Sequence, residues 1–255
     1  MTKDEIEFLA LNNKPIPYKD KTLLYPVLME NVFEFQKYIS VLNIPKNDID
    51  DVEIMRMSYL KFIIEISMQQ GYEGLFDSLF RLMQLVLRDE YISFDITDKG
   101  KHIIRLSNGN FLTEFDFSKI RPIIAQQNDF ELEDDDMNPE LRKQMRETNA
   151  FLAKKNNSAP MMQRILSYQY VMQCDWDYIM SIPIMRFNRS LETISHIKQA
   201  DLLQQALYGG TKEFKNPEKL PTWLTAIDKS KDGRVVDADE LTKNFRQTFG
   251  DEAFK

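Results

Sequence analysis

The run with the sharpest chemical spacing is 228–239, Asp-Lys-Ser-Lys-Asp-Gly-Arg-Val-Val-Asp-Ala-Asp. Asp228, Ser230 and Asp232 put oxygen donors at the first, third and fifth positions, and Gly233 allows the sharp turn at the sixth. Arg234 would offer its backbone carbonyl at the seventh position and Asp239 would close the loop. Hard cations such as Ca2+ or Mg2+ are held by such oxygen sets. Asp239 is one methylene shorter than a closing Glu, so bidentate contact is harder, which favours weak affinity or magnesium. The alternative is an Asp-rich surface turn ended by Gly233. No other cofactor is suggested.

The remaining reactive side chains are sparse. His102 and His196 fall on different expected elements, with no Cys, His or carboxylate at zinc-ligand spacing. Cys174 stands just before a helical turn, where a thiol pKa can fall, yet no His partner accompanies it. There is no Gly-x-Ser-x-Gly elbow, Walker loop or dinucleotide fingerprint. Paired carboxylates occur on exposed runs. The expectation is a protein that is not an enzyme, with no catalytic residues.

These residues must be positioned by a chain of 255 residues, 43% hydrophobic, with 17 Phe, 10 Tyr and 13 Met, enough for a packed core. Only 8 glycines argue against an all-β sandwich. A net charge of −7 argues against a nucleic-acid surface. The single cysteine excludes an intrachain disulfide. The charged start, Met1 to Glu5, does not read as a secretory signal. The apolar stretches 54–68 and 75–87 are broken by charges, so neither is expected to span a bilayer. A cytoplasmic protein is expected.

Hydrophobic period gives the architecture: mainly α, a helical core with a small three-stranded antiparallel β-meander and a small C-terminal appendage. Residues 1–20, with Pro15 and Pro17, read as an extended arm. Thr22 to Tyr25 reads as a short strand. Val32, Phe35, Ile39 and Leu42 mark an amphipathic helix. Asp50 and Glu53 read as a capping box opening a helix that runs through Ile54, Leu60 and Ile63 to Ile66, apolar nearly all round. Gly71 stops it, and Leu75 to Val86 continue as a second buried helix. Alternation at Ile92, Phe94 and Ile96, a strand at 102–106 and the Asn108-Gly109 turn give a meander near 91–115. Ser118 reads as the cap of a helix with Pro122 in its first turn. The acidic run 130–137 reads as a solvated linker, with a negative ligand patch as the alternative.

Asn138 and Pro139 open the next helix. Another covers 161–173, with Ile165, Leu166, Tyr168 and Met172 as candidates for burial. A helical turn succeeds it at 175–178. A long helix then starts near Ser181 and Pro183 and ends at Gly209-Gly210. The expected organisation is therefore the arm, a helical domain over 21–210, a linker over 211–221 and the rest of the appendage to 255. Trp223, Leu224 and Ile227 before the acidic loop, and Leu241, Phe245 and Phe249 after it, read as helical flanks.

The stretch Tyr168 to Gly210 resembles the helical region of tail assembly chaperones from tailed bacteriophages, in which an Ile-Met-x-x-Pro-like turn leads into a long helix ending at glycine. Phe33-Glu34-Phe35, Asn43-Ile44-Pro45-Lys46-Asn47 and Met57-Ser58-Tyr59-Leu60-Lys61-Phe62 look like phage tail-morphogenesis proteins. The loop at 228–239 resembles EF-hand and dockerin-type loops. The tail resemblance covers about half of the chain; the meander and the loop have no place in it. It implies a non-enzymatic role in the bacterial host cytoplasm, keeping the tape-measure protein from aggregating and recruiting tail-tube subunits. A permanent baseplate or connector component and a calcium- or magnesium-regulated binding module are the rivals. Self-association into a homo-oligomer is left open.

Overall fold

A computed structural model describes residues 1–46, 52–69, 71–72, 74–135, 137–155, 159–209 and 222. Among them the protein is mostly helical, with a small three-stranded antiparallel sheet. No helix among the described residues is long and apolar enough to cross a membrane. The chain divides into two compact units, one made of 1–142 with 160–191 and the other of 143–159 with 192–255.

The first unit opens with helix α1, Lys3–Leu11, where an extended arm is expected. Thr2 and Glu5 form a reciprocal capping box there, Glu5 N–H donating to Thr2 Oγ1 at 3.3 Å and Thr2 N–H to Glu5 Oε2 at 2.7 Å. Ile6 and Ala10 then bury one turn apart, as α1 packs on a later helix, α6 (Glu114–Gln127). Pro15 and Pro17 act only beyond the end of this helix, where Ile16–Pro17 (β1) pairs antiparallel with Leu23–Leu24 (β2).

The expected helix over 32–42 divides into α2, Val32–Tyr38, and a 3-10 turn over Ile39–Asn43. The single helix expected through 54–66 is two, α3 (Val52–Arg56) and α4 (Tyr59–Ile66). Ser58 separates them by capping α4, its hydroxyl accepting Lys61 N–H at 3.3 Å. Asp50 lies outside the described residues. Helix α5, Gly74–Leu87, packs on α2 and α4. Leu60, Ile63, Leu79, Leu82 and Val86 from α4 and α5 are fully buried, so these two helices form the centre of the core.

The meander is Ser93–Ile96 (β3), His102–Arg105 (β4) and Phe111–Thr113 (β5), with Phe94 opposite Ile104 and Ile104 opposite Leu112. Gly109 takes φ +85° in the second turn, the left-handed geometry that Asn108-Gly109 encodes. β5 runs directly into α6, whose cap is Thr113 and not Ser118. Thr113 and Asp116 make the capping box, which places Pro122 well inside the helix. Proline so strongly suggests a first turn that Ser118, just upstream of it, masks the true cap further back.

Helix α7, Pro139–Lys155, starts where expected, with Asn138 Oδ1 accepting Glu140 N–H at 2.8 Å. Helices α8 (Met161–Met172) and α9 (Trp176–Ser181) complete the first unit together with the start of α10, Ile184–Tyr208. A long-range backbone tie joins the end of α9 to the segment before α2: Met29 N–H donates to Ile182 O and Ile184 N–H to Val27 O, both at 2.9 Å. In the second unit Ala200 of α10 is buried, while Leu202 and Tyr208 are exposed.

Candidate functional site

The five residues of the expected cation loop, Asp228, Ser230, Asp232, Arg234 and Asp239, lie outside the described residues, as do the flanking segments 223–227 and 241–249. Among the described residues no group of three or more His, Cys, Asp or Glu side chains could hold a metal ion. His102 is buried in β4, its backbone N–H donating to Glu114 Oε1 at 2.8 Å. His196 stands on α10 in the second unit, with Nε2 3.1 Å from Thr222 O. Cys174 is half-buried between Gln173, at φ +50°, and the Asp175 cap of α9. His102 and Cys174 therefore belong to separate parts of the first unit.

Three buried charges have the strongest geometry, and all are spent on the fold. The Asp116 carboxylate accepts from Thr113 N–H at 2.9 Å, Thr113 Oγ1 at 2.7 Å and the Tyr18 hydroxyl at 3.1 Å, with Lys19 Nζ 3.7 Å away. Burial opposes its ionisation, but these donors and the lysine hold its carboxyl below the usual carboxylate range. Arg121 donates to Leu42 O through Nε at 3.0 Å and Nη2 at 2.7 Å, and to both Asp135 oxygens. Arg142 Nη2 donates to Asp134 O at 3.0 Å and Met137 O at 3.2 Å, with Nε 3.3 Å from Glu133 Oε2.

These last contacts correct the reading of 130–137 as a solvated linker. Two nearly buried arginines hold it, and Asn43 fastens it again by donating to Glu131 O at 2.9 Å and accepting Glu133 N–H at 3.1 Å. Acidic residues in sequence imply solvent unless a cation from elsewhere in the chain reaches them. Arg121 and Asp135 are close enough in sequence to suspect such a pair; Asn43 is not.

Among the exposed apolar side chains of the described residues, one set lies on the outer face of α8. Ile165 and Tyr168 bury one side of this helix, and the Tyr168 ring packs 5.1 Å from that of Phe187. Met162, Leu166 and Tyr170, four residues apart in series, lie along the other side and are 48%, 53% and 85% exposed. Leu166 and Met172, expected to be buried, are thus on the surface. The signal was present as apolar residues on two faces of one helix. Periodicity alone does not say which face meets the core.

Comparison with family models, with characterised proteins and with solved structures finds no match.

Proposed function

We propose that this chain is a non-enzymatic tail assembly protein of a tailed bacteriophage, one that holds apolar helices of the tape-measure protein and recruits tail-tube subunits in the host cytoplasm. The observation that supports this reading is the α8 face. Met162, Leu166 and Tyr170 form an apolar stripe about two helical turns long on a helix whose other side is already anchored in the core. Flexible methionine and leucine side chains on a firm helix accept an apolar helical segment of another protein without demanding one sequence.

The test is co-expression with a tape-measure protein of a tailed bacteriophage. Soluble recovery of that protein should require the chain and should be lost with Leu166→Lys, a change that leaves the fold intact. Aggregation of the partner in the presence of either form would overturn the proposal. Purified virions separate the chaperone from the permanent baseplate or connector component: a chaperone is absent from the finished particle.

A further inference from the structure

The two outer strands of the meander are finished differently. Between β3 and β4 the Thr97 N–H donates to Lys101 O at 2.9 Å, just beyond the strand ends. Antiparallel pairs alternate, so Asp95 with Ile103 and Ser93 with Arg105 are the hydrogen-bonded ones. Phe94 and Ile96 lie between them, and their N–H and C=O groups turn away from β4. Nothing among the described residues takes these groups up. On the other flank Leu106 N–H donates to Asn110 O at 2.8 Å, so Phe111 and Thr113 are the outward residues of β5. That edge is closed: Asp116 Oδ2 accepts Thr113 N–H at 2.9 Å, and Lys19 Nζ stands 5.9 Å from the Phe111 ring.

An exposed edge is commonly blunted by proline, lysine, a bulge or an unmatched charge. β3 reads Ser-Phe-Asp-Ile, and its register with β4 is unbroken. Its one charge, Asp95, is matched by Arg105 Nε on β4 at 2.8 Å. None of the usual guards is therefore present on this strand. The strand is also firmly seated, because the Phe94 ring packs on Phe76 and Phe80 of α5 at centroid distances of 5.1 and 6.1 Å. Ile96 shares that face with Phe94 and is 65% exposed.

We propose that the β3 edge docks one extended segment of a partner protein as a fourth, antiparallel strand, with apolar side chains opposite Phe94 and Ile96. The outward main-chain groups define the occupant's backbone. An extended chain presents N–H and C=O at the matching repeat, whereas a helix has bonded its own internally. The exposed Ile96 beside Phe94 defines the alternate side chains as apolar, since opposed residues of an antiparallel pair share one face. The size of the edge argues against a second folded copy. Four residues span about 13 Å, and a stable dimer buries ~1,200–2,000 Å² in total. A single strand needs no more than this edge offers. The site is independent of the α8 stripe and adds a second kind of partner segment to it.

The probe is the peptide Lys-Thr-Val-Thr-Val-Thr-Lys, acetylated and amidated, with amide hydrogen exchange and amide NMR shifts as the readout. In the free chain Phe94 and Ile96 amides should exchange fast and Asp95 slowly. The peptide should shift and protect Phe94 and Ile96. N-methylation of both valines, whose N–H groups face β3, should weaken binding at least about tenfold, the worth of one or two backbone hydrogen bonds. N-methylation of two threonines, whose N–H groups face solvent, should leave it unchanged. Ile96→Pro removes an outward N–H that makes no ladder bond, and should also lose the peptide. Ile96→Lys, an edge guard that keeps the backbone intact, should weaken binding too and serves if the proline variant does not fold. Equal binding of the two methylated peptides, unchanged Phe94 and Ile96 amides, or binding that survives Ile96→Lys would overturn the proposal. Protection of the two amides in the chain alone, rising with its concentration, would place a second copy on the edge and overturn it as well. Leu166 variants leave β3 untouched, so failure here and failure of the α8 surface are read separately.

Discussion

Arg121 lies over the ring of Tyr59, with its guanidinium carbon 3.6 Å from the ring centroid, while its nitrogens hold Leu42 O and Asp135. The Tyr59 hydroxyl in turn donates to Val41 O at 3.0 Å and accepts Ile44 N–H at 2.9 Å. One cation–aromatic pair therefore ties α4 and α6 to the 3-10 turn after α2 and to the acidic strap. Burial pushes the Tyr59 hydroxyl well above its ordinary pKa, against the pull of Arg121, so it stays a neutral donor.

Arg121→Met should cost about 1–3 kcal/mol, because it leaves the buried Leu42 carbonyl without either of its guanidinium donors. Asp135→Asn should cost only about 1 kcal/mol, since that carboxylate is one-third exposed and water screens it. Urea denaturation of both variants checks the order. Equal losses would mean that the strap contributes as much as the buried backbone contacts.

Acidification should weaken the start of α6. The Asp116 carboxyl is depressed in the folded state, so between the folded and unfolded pKa values the native protein binds fewer protons than the unfolded chain. Its stabilisation is therefore complete above the unfolded value of about 3.9 and is lost as pH falls through the folded one. Asp89, held by Ser107 N–H and hydroxyl against its own burial, has the same sign. Stability measured from pH 6 to pH 2 should fall less steeply in Asp116→Asn than in the native chain; identical slopes would refute the assignment.

Ile63→Ala and Leu79→Ala should each cost about 2–5 kcal/mol, as both side chains are fully buried where α4 and α5 meet. Calorimetry of the single variants tests this. Losses at both well below that range would show a core centred elsewhere.

Leu166→Lys and Tyr170→Lys should change stability by no more than about 0.5 kcal/mol, because they lie on the open side of α8. Coupled to the partner-solubility assay, these variants separate a binding surface from ordinary exposed residues. A large loss of melting temperature would place the stripe in a packed interface of the chain itself.

Calcium or magnesium should bind at 228–239 if the loop is a cation site, and Asp228→Ala should abolish the binding. Titration calorimetry on the full chain measures it. Limited proteolysis adds a second readout, since millimolar cation should slow cleavage within 211–255. Indifference of both measurements to cation would leave an Asp-rich turn.

Local pattern determined what depends on neighbours along the chain. The two core helices, the meander with its Asn108-Gly109 turn, the Asn138 cap and the long helix from Ile184 all derive from periods of 3.6 or 2 and from residues that open or close them. The box at Thr2 and Glu5 was equally local, but two prolines further on dominated that segment. Other features depended on residues brought together from afar. Glu114 joins Ser58 Oγ at 2.8 Å to the His102 N–H, Asn43 fastens an acidic strap some 90 positions away, and α8 turns Tyr168 inward and Leu166 outward. Periodicity fixes the angle between two faces of a helix, but which face loses its water depends on what the rest of the chain packs against it. A charge is likewise a solvated residue or a buried clamp according to the counter-charge that only the tertiary fold supplies.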